Sequence, residues 1–196
     1  MRWTLSTALL IVSGCAWASF FPGSGPQLSP SKYSGHLPDH DKAAQTIQNF
    51  ELQMAAPVSL RGGRLHVVVE ADDRRVNAEA RRMEPDWSII VYGGLLRHPN
   101  IGEAELTLIL CHELGHHLGG TPTAARGGWS ACEGQADYWS TLGCFSKVRP
   151  GEDARAAALR LTRLYATMSN DGHPSLDSKD EVRRPRTFFG YPSAQC

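Results

Sequence analysis

The sequence predicts an α+β domain in which a small, mostly antiparallel sheet packs on a pair of helices. Residues 65–69 and 87–92 are short runs rich in β-branched and aromatic residues, and glycines bound them, which is typical of strands. Residues 100–118 and 130–145 are longer, and their apolar residues recur at helical spacing. Once the N-terminal segments are set aside, about 155 residues remain, enough for one domain with its own core.

The first elements follow from hydrophobic spacing. Residues 41–54 carry apolar side chains on one helical face and predict a helix. Residues 65–69, Leu-His-Val-Val-Val, predict the first strand. Residues 75–81 alternate weakly and fit an edge strand whose charges would discourage aggregation. Residues 87–92 predict a third strand, which Gly93 ends.

The next helix carries the most informative motif of the chain. Residues 112–116 read His-Glu-Leu-Gly-His within an apolar run. His112 and His116 are four residues apart, so they differ by only about 40° around a helix axis and can meet one metal ion. Glu113 lies about 100° from His112 and reaches the same space. This H-E-x-x-H arrangement is typical of zinc peptidases, in which the glutamate is the general base.

The bounds of this helix also have sequence signals. Asn100 can cap its start, with Glu103 at the third helical position. Gly119 and the glycine after it can end it in the left-handed conformation. Residues 121–129 then form a loop that returns the chain to the metal, and residues 150–168 predict a last, amphipathic helix.

The segment at 130–145 predicts a second site helix. A catalytic zinc site has three protein ligands and one open position, and His112, His116 and Glu133 form such a set. Asp137 lies one turn after Glu133, where it can accept a hydrogen bond from a ligand histidine. The alternative for Glu133 is a capping box with Ser130 at the N-cap.

The order of these elements resembles a known family. An Asn77-Ala78 pair, a Gly-Leu-Leu element, the histidine motif and the Glu133/Asp137 pair occur in the order found in the HtpX-type peptidases. These form the gluzincin family M48, which also contains the CAAX prenyl protease. The resemblance covers about residues 64–145 and implies a single zincin-like domain.

The resemblance also implies an activity. It implies a zinc-dependent endopeptidase with one zinc ion per chain, held by His112, His116 and Glu133, and with Glu113 as base. The strand that carries the Asn-Ala pair would border the cleft, so an extended polypeptide substrate could pair with its edge. Two other classes remain open: a non-proteolytic zinc-binding envelope scaffold, and a metal hydrolase acting on a cell-wall amide.

The sequence departs from the family pattern in two respects. Membrane-embedded members carry several transmembrane helices, and beyond its first residues this chain has no such segment. His173-Pro174 matches a family element, but the arginines that should follow come late. The family pattern therefore does not identify the residue that stabilises the oxyanion; our catalytic candidate for it is His173, with Tyr138 as the second candidate.

The beginning of the chain predicts export. Residues 1–18 combine one early positive charge, an apolar stretch and small residues, as a signal peptide does. Cleavage after Ala18 is one prediction; the other is a lipobox that ends the signal at residue 14 and leaves Cys15 as a lipid-anchored residue. Residues 19–38 would form a flexible tether and residues 39–196 the metallopeptidase domain. The expected location is the bacterial periplasm or envelope, with or without a lipid anchor, or the outside of the cell.

The charge and the cysteine content indicate which partners and which covalent bonds to expect. The formal net charge is zero and no basic cluster stands out, which argues against nucleic acid as a partner. Four cysteines follow the predicted signal, an even number that predicts disulfides in an exported protein; they are Cys111, Cys132, Cys144 and Cys196. Three pairings are possible, and a cysteine as zinc ligand is the rival interpretation. A bond between the two site helices would brace the site.

Overall fold

The computed structural model describes residues 18–21, 26–27 and 40–169. Three residues singled out by the sequence lie outside these ranges, namely Cys15, His173 and Cys196. Most of the predicted tether also lies outside, but its first residues lie against the sheet.

A mixed four-stranded sheet forms one layer. Its strands are β1 (Ala18–Ser19), β2 (Arg64–Glu70), β3 (Ala78–Met83) and β4 (Asp86–Tyr92), arranged in the order β1-β3-β4-β2. β3 pairs antiparallel with both β1 and β4, whereas β2 runs parallel to β4 along its whole length. The predicted α+β class is confirmed. The sheet is mixed, because its longest pairing, β2 with β4, is parallel and the other two pairings are antiparallel.

The predicted edge strand is shifted and partly covered. The sequence predicts it at residues 75–81, but β3 begins at Ala78 and continues to Met83. The residues just before it belong to no strand, and Arg75 forms only an isolated bridge with Gln27. β1 pairs with Glu79 and Ala80, so the start of this edge is occupied by the chain's own N-terminal residues.

The described helices pack on one another and on the sheet. Their bounds are α1 (His40–Ser59), α2 (Gly93–Leu96), α3 (Glu103–Leu118), α4 (Glu133–Trp139), a π-helical turn (Ser140–Phe145), α5 (Ser146–Val148) and α6 (Ala154–Ser169). Every residue of α3 from position 105 to 118 is buried, so this helix forms the centre of the core. Within the described residues, no helix has the length and apolar character needed to cross a membrane.

The start of α3 differs from the prediction. Gly102, not Asn100, is the N-cap, and its N–H donates to the Glu105 carboxylate at 2.9 Å. The Asn100 cap was therefore wrong, because Glu105 reaches back to satisfy the free backbone amide itself. The end of the helix agrees with the sequence: Gly119 is the C-cap and Gly120 has φ +74°.

The second site helix is shorter than predicted. It begins at Glu133, with Cys132 at the N-cap, and changes to the π-helical turn after Trp139. Ser130 does not cap it, because its hydroxyl donates to the carbonyl of Ala131 instead. Ala131 forms a β-bridge with Thr123, so the backbone is still extended there. The capping-box interpretation was wrong.

One disulfide joins the two site segments. Cys111 of α3 is bonded to Cys144 of the π-helical turn, with the two Cα atoms 5.6 Å apart. Cys132 is buried and stands outside this bond. The disulfide therefore joins the two site segments through Cys144, and not through Cys132, which directly precedes Glu133.

Candidate metal centre

Helix α3 brings three chemically active side chains together. One ligand atom from each of His112, Glu113 and His116 lies within 4.8 Å of the others. The side chains are covered: His112 is 4% exposed, and Glu113 and His116 are 0% exposed. The helical spacing predicted from the sequence thus produces a buried, converging cluster.

The tautomer of His116 is set by the loop that precedes α4. Its Nδ1 atom lies 2.8 Å from the carbonyl oxygen of Ala131, which can only accept, so Nδ1 carries the proton. Burial lowers the pKa of His116 to about 4, which keeps the ring neutral. Its Nε2 atom is buried without a hydrogen-bond partner and presents a lone pair to the centre.

The tautomer of His112 is set by Asp137. His112 Nδ1 donates to Asp137 Oδ1 at 2.8 Å, so Nε2 again faces the centre. Burial lowers the pKa of His112, but the hydrogen bond to Asp137 and the neighbouring Glu133 outweigh it and hold the pKa well above its usual value. The surroundings of His112 therefore favour positive charge. Either a proton on the ring or a bound cation supplies it.

Glu133 completes the cluster from the first turn of α4. Its Oε2 atom lies 3.3 Å from His112 Nε2 and 3.8 Å from His116 Nε2. The close approach of the two helices depends on Gly115, because a Cβ at this position would lie 2.7 Å from the carbonyl oxygen of Ala136. The glycine within the histidine motif thus lets the third candidate ligand reach the two imidazoles.

Glu113 is buried beside this cluster. Neither of its carboxylate oxygens makes a well-formed hydrogen bond to a described residue, and the backbone N–H of Ala80 is the donor that acts on its carboxylate. Burial raises the pKa of Glu113 well above its usual value; His112 and the backbone N–H of Ala80 oppose this shift, and Glu133 adds to it. A buried carboxyl without a well-formed hydrogen bond is costly, so its position calls for a functional explanation.

These features together fit a metal ion. Two imidazole Nε2 atoms and a Glu133 oxygen converge, and neither Nε2 atom makes a well-formed hydrogen bond on that side, where Glu133 is the nearby acceptor. Each ligand histidine is oriented through its other nitrogen, as is usual at metal sites. A two-histidine, one-carboxylate set is the ligand type of catalytic zinc sites.

His117 has a different environment from its neighbour. Its ring lies between the indoles of Trp87 and Trp129, with centroid distances of 5.4 and 4.7 Å and interplanar angles of 12° and 15°. Its Nε2 lies 3.3 Å from the carbonyl oxygen of Ser88, and burial lowers its pKa to about 3. His117 is thus a buried packing residue.

The residues expected to border the substrate, Asn77 and Ala78, are in contact with the chain's own N-terminal segment. Asn77 and Ala78 are fully buried. The Asn77 Oδ1 atom accepts the N–H of Phe21 at 2.9 Å, and its Nδ2 donates to the Phe21 carbonyl at 3.3 Å. The neighbouring Phe20 ring lies 5.1 Å from the His112 ring, edge to face. The N-terminal residues therefore border the candidate metal centre.

Several contributors to the site had no clear sequence signal. Each acts through a contact with a residue that is not its neighbour in sequence. The Ala131 carbonyl contacts His116, the Phe20 ring contacts His112, and the Trp129 indole contacts His117. Gly115 was visible only as the variable position of a motif. Of the two expected oxyanion donors, Tyr138 is 46% exposed on α4, and His173 lies outside the described residues.

The comparisons with known proteins place these features in a family. A family model described as Peptidase family M48 matches residues 41–166, more than half of the 196 residues. The match spans the sheet strands β2 to β4, the histidine motif and the Glu133/Asp137 pair. No curated protein and no solved structure matches the chain.

Proposed function

Because the chain belongs to peptidase family M48, a family of metal-dependent peptidases, we propose that it is a zinc-dependent endopeptidase with a zincin-like (gluzincin) domain. One observation carries this proposal: the Nε2 atoms of His112 and His116 converge with Glu133 beside the fully buried carboxyl of Glu113. A site that only stabilised the fold would have no use for that second buried carboxyl.

His112, His116 and Glu133 would hold the zinc ion, one per chain. When bound, zinc supplies a Lewis acid that polarises the scissile carbonyl and activates water. Asp137 and the Ala131 carbonyl keep the two imidazoles in the tautomer that a metal requires. The Cys111–Cys144 disulfide holds the helix that carries the histidines next to the segment that carries Glu133.

Glu113 is the proposed general base. It accepts the proton of the attacking water and passes it to the nitrogen of the leaving amine. Its complete burial favours this role, because a dry surrounding strengthens its interaction with the reacting groups. The tetrahedral oxyanion needs a further donor; His173 remains our proposal for it, and Tyr138 the alternative.

The substrate we propose is an extended polypeptide. Ala80 of β3 lies beside Glu113, and the outer edge of β3, which β1 pairs at Glu79 and Ala80, is the edge to which a peptide could add as a strand. Asn77 and Ala78 lie where this edge begins. The family membership supports a polypeptide over a cell-wall amide.

We further propose that the protein works outside the cytoplasm. The signal-like residues 1–18, or 1–14 with Cys15 as a lipid anchor, support export to the periplasm or envelope. The disulfide is consistent with an oxidising compartment. On this proposal, residues 39–196 form the metallopeptidase domain.

The direct test of the activity is the Glu113→Gln variant in a casein cleavage assay. The amide keeps the size of the side chain but cannot take the proton, so we expect cleavage to fall below detection while zinc stays bound. Glu103→Gln, which changes an exposed carboxylate on the same helix, is the matched control and should cleave normally. Normal cleavage by Glu113→Gln would overturn the general-base assignment.

A further inference from the structure

The edge of β3 that a substrate would use is already occupied. We propose that the chain's own residues 18–21 are an internal competitor for the substrate position, so that this segment must leave before a polypeptide can be cleaved. The inference rests on the proposed function, since it assumes that β3 is the substrate strand.

The backbone of the segment lies as a bound peptide would. Ala18 pairs with Ala80 and Ser19 with Glu79 in antiparallel register. The N–H of Phe20 then donates to the Ala78 carbonyl at 3.0 Å. Addition of an extended strand to an exposed sheet edge is a common mode of peptide recognition, and here the added strand belongs to the same chain.

The side chain of Phe20 lies against His112 of the candidate metal centre. Its ring contacts the His112 ring edge to face at 5.1 Å, and the four chemically active side chains are at most 8% exposed. They are His112, Glu113, His116 and Glu133. A scissile peptide bond must reach these groups, so Phe20 has to move for the substrate to bind.

Phe21 holds the segment in place. Its ring is buried and stacks on Tyr165 with centroids 5.8 Å apart. The side chain of Asn77 bonds both its N–H and its carbonyl. Phe21 is thus an anchor in the core, whereas Phe20 is only partly buried and β1 is only two residues long. Displacement of Phe20 and the residues before it leaves the anchor intact.

Residues 19–21 of the segment stay on the chain after either predicted processing step, whereas Ala18 and its pairing with Ala80 are kept only in the lipobox form. Cleavage after Ala18 leaves Ser19 as the first residue, and the lipobox alternative leaves Cys15. Phe20 and Phe21 are retained in both forms, so the competition would be a property of the mature protein.

The test uses the zinc-loaded full chain as wild type, as Phe20→Ala and as Phe20→Pro. The alanine variant removes the covering ring, and the proline variant also removes the N–H that pairs with Ala78. Leu52→Ala, at an exposed position of α1, is the control. We expect kcat/KM for a casein-derived peptide to rise about tenfold in both Phe20 variants, which corresponds to ~1.4 kcal/mol. The control should match wild type.

A second measurement does not depend on cleavage. The rate at which pyridine-2,6-dicarboxylate removes zinc should rise in the two Phe20 variants, because the cover over His112 is lost. Hydrogen exchange of the β3 amides should rise as well. A thermal unfolding transition for each variant verifies that it is folded.

The outcomes separate the two proposals. If wild type cleaves peptide and the Phe20 variants cleave no faster and lose zinc no faster, the segment is an ordinary part of the fold and the inference is wrong. If no form cleaves peptide but zinc removal is faster in the variants, the segment covers the metal centre and the peptidase assignment fails instead.

Discussion

Ala131 holds His116 at two points. The Ala131 N–H donates to the backbone carbonyl of His116 at 2.8 Å, and the Ala131 carbonyl accepts from His116 Nδ1 at 2.8 Å. The loop between the two site helices thus sets both the position and the tautomer of a candidate ligand. Because Glu133 follows two residues later, the same backbone segment places the third candidate ligand.

Asp137 should contribute to metal affinity through His112. Loss of its carboxylate in Asp137→Ala removes the group that orients the ring, so zinc affinity should fall by about 10- to 100-fold. Competition with a chromogenic chelator measures this affinity. Asp72→Ala, which removes an exposed carboxylate elsewhere, should leave the affinity unchanged. An unchanged affinity in Asp137→Ala would show that the contact does not support the ligand.

Gly115 should be intolerant of even a methyl group. In Gly115→Ala the new Cβ would lie 2.7 Å from the Ala136 carbonyl oxygen and 2.8 Å from its Cα, so α3 and α4 must separate. We expect the free energy of unfolding to fall by about 1–3 kcal/mol. Zinc affinity should fall with it, because Glu133 moves away from the histidines. Chemical denaturation measures the first effect, and a normal denaturation midpoint would contradict the close packing.

His117 should be replaceable by an aromatic residue. In His117→Phe the ring can still stack between Trp87 and Trp129, and an unpartnered buried nitrogen is removed. We expect zinc content to be unchanged and the free energy of unfolding to stay within about 1.5 kcal/mol of wild type. His117→Ala should cost more, since it leaves a cavity between the indoles. Loss of zinc from His117→Phe would make His117 a ligand.

The parts of the site that are local in sequence could be predicted. Helical spacing alone brings His112 and His116 together, and the glycine pair at 119–120 marks the end of α3. The pairing of Asp137 with His112 also followed from the expectation that a ligand histidine needs a second partner. The α+β class followed from the alternation of strand and helix patterns.

The parts of the fold and the site that depend on contacts between residues distant in sequence could not be predicted. Phe21 meets Asn77 across 56 residues, and the signal-like composition around it hides a strand. The parallel pairing of β2 with β4 is decided by how the chain crosses over, which short apolar runs do not encode. The choice of Cys144 as the partner of Cys111 is equally a matter of tertiary proximity.

The most direct test of the central claim is the zinc content per chain, measured by native mass spectrometry in wild type and in Glu133→Ala. The claim predicts one zinc ion in wild type and its loss in the variant, because two imidazoles alone are a poor site. Wild type should also cleave casein in a manner that a chelator abolishes. A wild-type chain without zinc, or full zinc occupancy in Glu133→Ala, would contradict the account.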